Sequence, residues 1–212
     1  CTFISLSDEM HRPTRIVIFA KAPIPGFCKT RLIGALGEEG AAALAAKMLC
    51  RTVEVAMQAD LGPIELCVAP EPEHATLRAL DVPPEVVWSR QAEGDLGARM
   101  ADAVLRTLAR DENVLCIGTD CLALEVKHLK EAAHALRQDP VVIAPAHDGG
   151  YVLLGLSQFD ASIFQDMTWS TDQVFRETMH RIEYLGWHVT QLDTLRDIDE
   201  PEDLAFLPIE FK

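Results

Sequence analysis

The chain reads as short apolar runs separated by longer stretches with helical spacing. Residues 15–20, 64–69, 86–89, 114–117, 141–146 and 152–156 are runs rich in Ile, Val and Leu, with few polar positions. Such runs fit strands buried on both faces of a sheet. Between the first two, residues 38–58 place Ala41, Leu44, Ala45, Met48, Leu49, Val53 and Ala56 on one half of a helix. Lys47, Arg51, Glu54 and Gln58 fall opposite. Shorter helices are predicted around 74–80, from the Gly94 region to about Arg110, and over 126–138. Ser170 and Gln173 have capping-box spacing, so a helix should start there and close at Gly186. Residues 187–192 alternate as a half-buried strand. Asp199-Glu-Pro-Glu-Asp203 should cap and charge the first turn of a last helix. Strands alternating with helices predict a three-layer α/β/α fold with a mainly parallel sheet. Residues 14–212 should form one domain, with 1–13 as a flexible extension.

Composition narrows the partners. The 212 residues carry a formal net charge of −14, which disfavours nucleic acid and anionic membrane. No apolar run approaches the roughly 20 residues of a membrane-spanning helix, and the first residues lack a signal peptide's pattern, so a cytoplasmic location is expected. The six cysteines show no Cys-x-x-Cys pair and are expected as free thiols. Positive charge is concentrated instead. Between Met10 and Gly37 stand Arg12, Arg15, Lys21, Lys29 and Arg31, and no acid. An acidic protein with one basic island points to a small anionic ligand held there.

The candidate chemistry sits after the predicted strands. The run 114–117 breaks at Gly118 and delivers Thr119 and Asp120 to the strand's carboxyl end, where open parallel sheets bind ligands. Asp120 there suits a divalent cation against a phosphate, or else the cap of the next helix. After the first strand, a loop with two prolines and Gly26 offers Lys21, Lys29 and Arg31 to phosphates, with Gly26 allowing close backbone approach. Asp95, between Gly94 and Gly97, is with Thr119 a further candidate on the nucleotide-phosphate side, and equally a ready N-cap. Asp148-Gly149-Gly150-Tyr151 forms a tight turn at another strand end. Two carboxylates and a basic loop around one crevice make a metal–diphosphate site. His147 reads as polar surface, and Cys28 and Cys121 lack a neighbouring histidine to activate them. The Walker-A, nucleophile-elbow and dinucleotide-binding glycine patterns are missing from the sequence.

Phe19-Ala-Lys-Ala-Pro-Ile-Pro-Gly-Phe-Cys-Lys-Thr-Arg-Leu32, Gly94-Asp-Leu-Gly-Ala-Arg-Met100, Gly118-Thr-Asp-Cys121, Pro145-Ala-His-Asp-Gly-Gly-Tyr-Val-Leu-Leu-Gly-Leu156 and Asp197-Ile-Asp-Glu-Pro-Glu-Asp-Leu204 together resemble the DUF2064 family. The resemblance spans roughly residues 14–207. It implies the GT-A fold of nucleotide-diphospho-sugar transferases, shared with nucleotidyltransferases. By it, Lys21, Lys29 and Arg31 match the nucleotide-phosphate loop, Asp120 the metal-binding acid, and Asp148 an acidic loop on the acceptor side. Gly149, Gly150 and Tyr151 belong to that same loop. Leu122 stands where the family usually has proline.

The expected activity is transfer of a sugar from a nucleotide-sugar donor to an acceptor, with Mg²⁺ or Mn²⁺ on Asp120. The alternatives are a nucleotidyltransferase, joining a nucleoside triphosphate to a phosphorylated small molecule and releasing pyrophosphate, and a nucleotide-binding regulatory protein without catalysis.

Overall fold

The computed structural model describes residues 12–211. The N-terminal extension expected over 1–13 lies mostly outside them, as does Cys1. Among the described residues, strands β1 (Thr14–Lys21), β2 (Ile64–Ala69), β3 (Val87–Arg90), β4 (Asn113–Ile117), β5 (Val141–Pro145), β6 (Tyr151–Leu156) and β7 (Val189–Gln191) form one seven-stranded sheet. Helices α1 (Ile33–Ala59), α2 (Ala75–Arg78), α3 (Leu96–Leu108), α4 (Val126–Ala135) and α5 (Val174–Tyr184) cover its faces, giving the expected α/β fold.

Strand order is β3-β2-β1-β4-β6-β5-β7. β1 pairs in parallel with both β2 and β4, and β5 with β7, while β6 runs antiparallel between β4 and β5. The chain therefore builds outward from β1 to one edge, then crosses back to lay β4 on the other side of β1. That reversal makes a topological switch point, and the crevice beyond the carboxyl ends of β1 and β4 is where such sheets take ligands.

Alternation along each strand builds two cores. Ile16, Ile18, Leu66, Leu115 and Val142 pack with Leu49, Val53, Ala56 and Leu129 from α1 and α4. Val17, Cys67, Val114, Cys116, Ile143 and Leu154 face the other way, onto Met100, Val104 and Ile182 from α3 and α5. A third cluster joins Leu32, Leu44 and Met48 to Ile198 and Leu207, with Leu122 packed against it. It docks the C-terminal segment beside the switch point. Leu122, in the family's proline position, ties the β4 loop to that segment by packing.

Several boundaries differ from the sequence reading for identifiable reasons. α1 begins at Ile33 but is interrupted at Gly37 (φ 72°, ψ 169°), so the regular helix starts near Glu38 as expected. Ser170 is not the N-cap of α5. It sits at φ 62°, the cap position falls to Gln173, and no side chain caps it. The helix expected after Asp199 is a 3₁₀ segment, Pro201–Phe206, whose N-cap is Glu200 in a capping box with Asp203, leaving the Asp199 side chain for other contacts, and a 3₁₀ turn at Ile209–Phe211 follows.

Candidate functional site

Lys21 ends β1 and is exposed. The loop after it turns through Gly26 (φ 79°), with Phe27 and Cys28 N–H groups both donating to the Ile24 carbonyl. Lys29 then adopts the left-handed conformation (φ 46°, ψ 43°) ahead of a 3₁₀ turn, Thr30–Leu32. This backbone sends the Lys29 side chain into the crevice, where it is only 6% exposed. Its Nζ lies 2.6 Å from Asp120 Oδ1, 2.8 Å from Asp199 Oδ1 and 2.6 Å from the Ile198 carbonyl. Burial by itself would lower the Lys29 pKa, but Asp120 and Asp199 outweigh it and hold the ammonium above its usual value.

Asp120 and Thr119 follow β4 as expected, both half-buried. The capping alternative for Asp120 is set aside by geometry, because the N-cap of α4 is Glu125, in a reciprocal box with His128. The Asp120 carbonyl accepts from Ile198 N–H at 2.8 Å. The C-terminal segment is thereby stitched to the β4 loop, and Ile198 (3% exposed) is pinned into the third cluster. Asp197 and Asp199 flank it and meet the crevice. Burial, with Asp120, Asp199 and Asp148 nearby, pushes the Asp197 carboxyl up to about 7, and Lys29 opposes this. Four carboxylates thus share one region of negative potential.

Asp148 is exposed on a turn whose form is fixed from below. Gly150 N–H donates to Asp148 Oδ1 at 2.9 Å, and Ala146 N–H donates to the Gly150 carbonyl at 3.0 Å. Gly149 has φ 90°, a Cβ there would lie 2.3 Å from the Asp172 carbonyl oxygen, and its own carbonyl accepts from Phe175 N–H at 2.9 Å. Gly149 and Gly150 therefore shape the turn, and these backbone groups are taken. Tyr151 does not face the acceptor side. Its hydroxyl lies 3.9 Å from Met100 Sδ under α3, and burial drives its pKa up.

The basic island is smaller in space than in sequence. Arg15 is buried near the other end of β1, 2.6 Å from Glu112 and 3.6 Å from Glu65, and Arg12 pairs with Asp111. Glu38 stands beside Gly26, its carboxylate 3.4 Å from where a Cβ would be. Arg31 meets Glu200 at 3.1 Å with both side chains more than half exposed, a weak pair that a phosphate could replace. Asp95 caps α3, accepting from Ala98 N–H at 2.8 Å. Burial raises the Cys28 thiol, and burial with Asp197 pushes Cys121 up to about 12, so neither is a ready thiolate.

Asp197 and Asp199, in the last of the family-like motifs, lie outside the expected site residues but reach the crevice. Their signal was the alternation of two acids around one apolar residue, which puts both acids on one side of an extended segment. Gln91 was also missed. Its Nε2 donates to the Ala20 and Cys67 carbonyls at 3.1 and 3.0 Å, and Arg99 donates to its Oε1 at 3.1 Å. Gln91 thus ties the β3–α3 loop to the carboxyl ends of β1 and β2, a role that no local pattern announces.

Among the described residues, no three His, Cys, Asp or Glu side chains converge as a ligating group. Mg²⁺ and Mn²⁺ do not need one, since one or two carboxylates plus phosphate oxygens and water suffice for such hard cations. The all-oxygen donor set of Asp120, Asp197 and Asp199 fits such a cation, whose charge would relieve the mutual repulsion that adds to burial in raising the Asp197 carboxyl.

The family model described as "Uncharacterized protein conserved in bacteria (DUF2064)" matches residues 52–171, more than half of the chain. The chain belongs to the DUF2064 family. The match takes in Asp95, Asp120 and Asp148, while the stretch 21–31 at the end of β1 (loop one) and the Asp197–Asp199 segment lie outside it. No curated protein matches this DUF2064 sequence. Among solved structures, a candidate nucleotide-diphospho-sugar transferase from Desulfovibrio desulfuricans G20 is similar at TM-score 0.86 and 26% identity, over 95% of this chain and 88% of that one. Rv0371c from Mycobacterium tuberculosis H37Rv, in complex with manganese, is similar at TM-score 0.53 and 14% identity, over 92% and 97%. CMP:2-keto-3-deoxy-manno-octonic acid synthetase complexed with CTP is similar at TM-score 0.56 and 10% identity, over 92% and 96%. The fold is that of nucleotide-diphospho-sugar transferases and nucleotidyltransferases. Among the described residues no helix is long and apolar enough to cross a membrane.

Proposed function

We propose that this protein transfers a glycosyl group from a nucleotide-sugar donor to a hydroxyl-bearing acceptor, with Mg²⁺ or Mn²⁺ at Asp120. The observation that carries the reading is the meeting of Lys29, Asp120, Asp197 and Asp199 at the switch point between β1 and β4. Asp120, with Asp197 or Asp199 on the facing segment, would hold the cation, and bound there it would neutralise charge on the leaving phosphate. Lys21 and Arg31, the exposed cations of loop one, take the diphosphate. Asp148, fixed on its glycine turn, orients the acceptor hydroxyl and receives its proton as the glycosyl–phosphate bond breaks and the new glycosyl–oxygen bond forms.

Charge distribution favours glycosyl over nucleotidyl transfer. The far side of the crevice carries the exposed Asp148, which would repel a phosphorylated acceptor but suit a neutral alcohol. Nucleotidyl transfer is the second reading, supported by likeness to a synthetase complexed with CTP. Product analysis separates the two. Given nucleotide sugars, Mn²⁺ and sugar or alcohol acceptors, the protein should release a nucleoside mono- or diphosphate. Acceptor-dependent pyrophosphate from nucleoside triphosphates would instead establish the second reading, and binding without turnover on both panels would leave a regulatory nucleotide-binding protein.

A further inference from the structure

Lys29 has a feature that phosphate binding alone does not explain. An ammonium has three protons to donate, and all three have acceptors within the protein: Asp120 Oδ1, Asp199 Oδ1 and the Ile198 carbonyl, at 2.6, 2.8 and 2.6 Å. The acceptors come from two separate segments, the β4 loop and the C-terminal segment after β7 that carries Asp197–Asp199 (the strap). The backbone is strained toward this end, because a left-handed non-glycine residue is sparsely populated and persists only where its surroundings over-determine it. The side chain is 6% exposed, while Asp120 and Asp199 are 47% and 37% exposed. The cation therefore sits on the inner side of both carboxylates, with their outer sides open to solvent.

We propose that the Lys29 ammonium and the divalent cation compete for Asp120, so that metal entry displaces Lys29 and loosens the C-terminal strap from loop one. The inference rests on the metal reading of Asp120. Lys29 Nζ already lies 2.6 Å from Asp120 Oδ1, so a divalent cation on either oxygen of that carboxylate stands only a few ångströms from a like charge, and in a half-buried crevice the two repel strongly. A freed Lys29 gives up its hold on Ile198 and Asp199, which together with Arg31–Glu200 tether the strap to loop one. Lys29 is on this account a positioning residue that sets metal affinity, and the strap reports metal occupancy.

The test uses the full chain and Mn²⁺ alone, without nucleotide. Mn²⁺ affinity is measured by calorimetry for wild type, Lys29→Met, Asp120→Asn and the double variant. Lys29→Met, which keeps length and removes charge, should bind Mn²⁺ about tenfold more tightly than wild type, and Asp120→Asn should abolish that gain. Equal or weaker binding by Lys29→Met, with binding still lost on Asp120→Asn, would overturn the competition while leaving the metal reading intact. Mn²⁺ binding that ignores Asp120 in both backgrounds would overturn both. A second measurement needs no variant. Amine acylation of wild type, read by mass spectrometry, should find Lys29 protected without Mn²⁺ and labelled with it, and identical labelling in both conditions would sink the proposal.

Discussion

In the proposed reaction Asp120 is the side chain on which the chemistry turns, and its surroundings allow a clean substitution. Asp120→Asn keeps size while removing the charge that holds a hard cation. Because Glu125, not Asp120, caps α4, and the buried Lys29 ammonium keeps Asp199 and the Ile198 carbonyl, the change should cost little stability. Activity should fall by orders of magnitude and nucleotide binding should lose its Mn²⁺ dependence. A thermal melt alongside a Mn²⁺ titration checks both halves, and unaltered metal dependence would remove Asp120 from the site. Arg31→Ala, by contrast, should weaken nucleotide binding by roughly 1.5–3 kcal/mol, the worth of a charge-assisted hydrogen bond, with metal affinity unchanged. Tyr151→Phe should leave turnover as it is, since the hydroxyl lies against Met100 beneath α3.

Turns and strand ends carry the next level of argument. The Asp148 turn is held against the start of α5 by the Gly149 carbonyl, and the Asp172 backbone fills the space where a side chain would go. Gly149→Ala therefore meets both a positive φ and a backbone clash, and should cost on the order of 2 kcal/mol or more. The loss should appear as earlier exchange of the first-turn amides of α5 and as reduced turnover, because Asp148 no longer stands rigid. A variant as stable and active as wild type would show that the turn yields easily. This same stretch shows how far local reading reaches. The glycine pair after an acid was legible as a tight turn, but Tyr151 beside it was placed with the turn although it belongs to the first position of β6, whose register against Pro145 points its ring into the α3–α5 core.

The molecule as a whole is strongly acidic, and its crevice adds to that by gathering Asp120, Asp148, Asp197 and Asp199 around one lysine. Cations should therefore stabilise the folded protein through this site more than through the dispersed surface charge. In a thermal-shift panel, the proposed glycosyl transfer predicts that a nucleotide sugar at a hundred times its dissociation constant should stabilise by about 2.7 kcal/mol. The gain should require Mn²⁺ or Mg²⁺. A ligand that stabilises equally in a chelator would argue for a nucleotide site without metal.

The hydrophobic pattern was enough to place the strands and most helices, because a strand buried on both faces needs an apolar run and a surface helix needs one apolar face, whatever lies across from them. The same pattern put Asp120 after a buried strand and Lys29 in a proline-glycine loop. It did not distinguish Arg15, buried against Glu112, from Lys29, buried against Asp120 and Asp199, since both are basic residues near the first strand and only the fold reveals which strand end each one faces. Nor did it set Ser170 aside as a cap or bring Asp197 and Asp199 to the crevice. The laying of β4 beside β1, and of the C-terminal strap beside both, rests on pairings between residues far apart in the chain. Ile198 N–H finds the Asp120 carbonyl, and Lys29 spans more of the sequence still to reach Asp199. Such contacts follow from how whole layers pack, so they leave no local period to read.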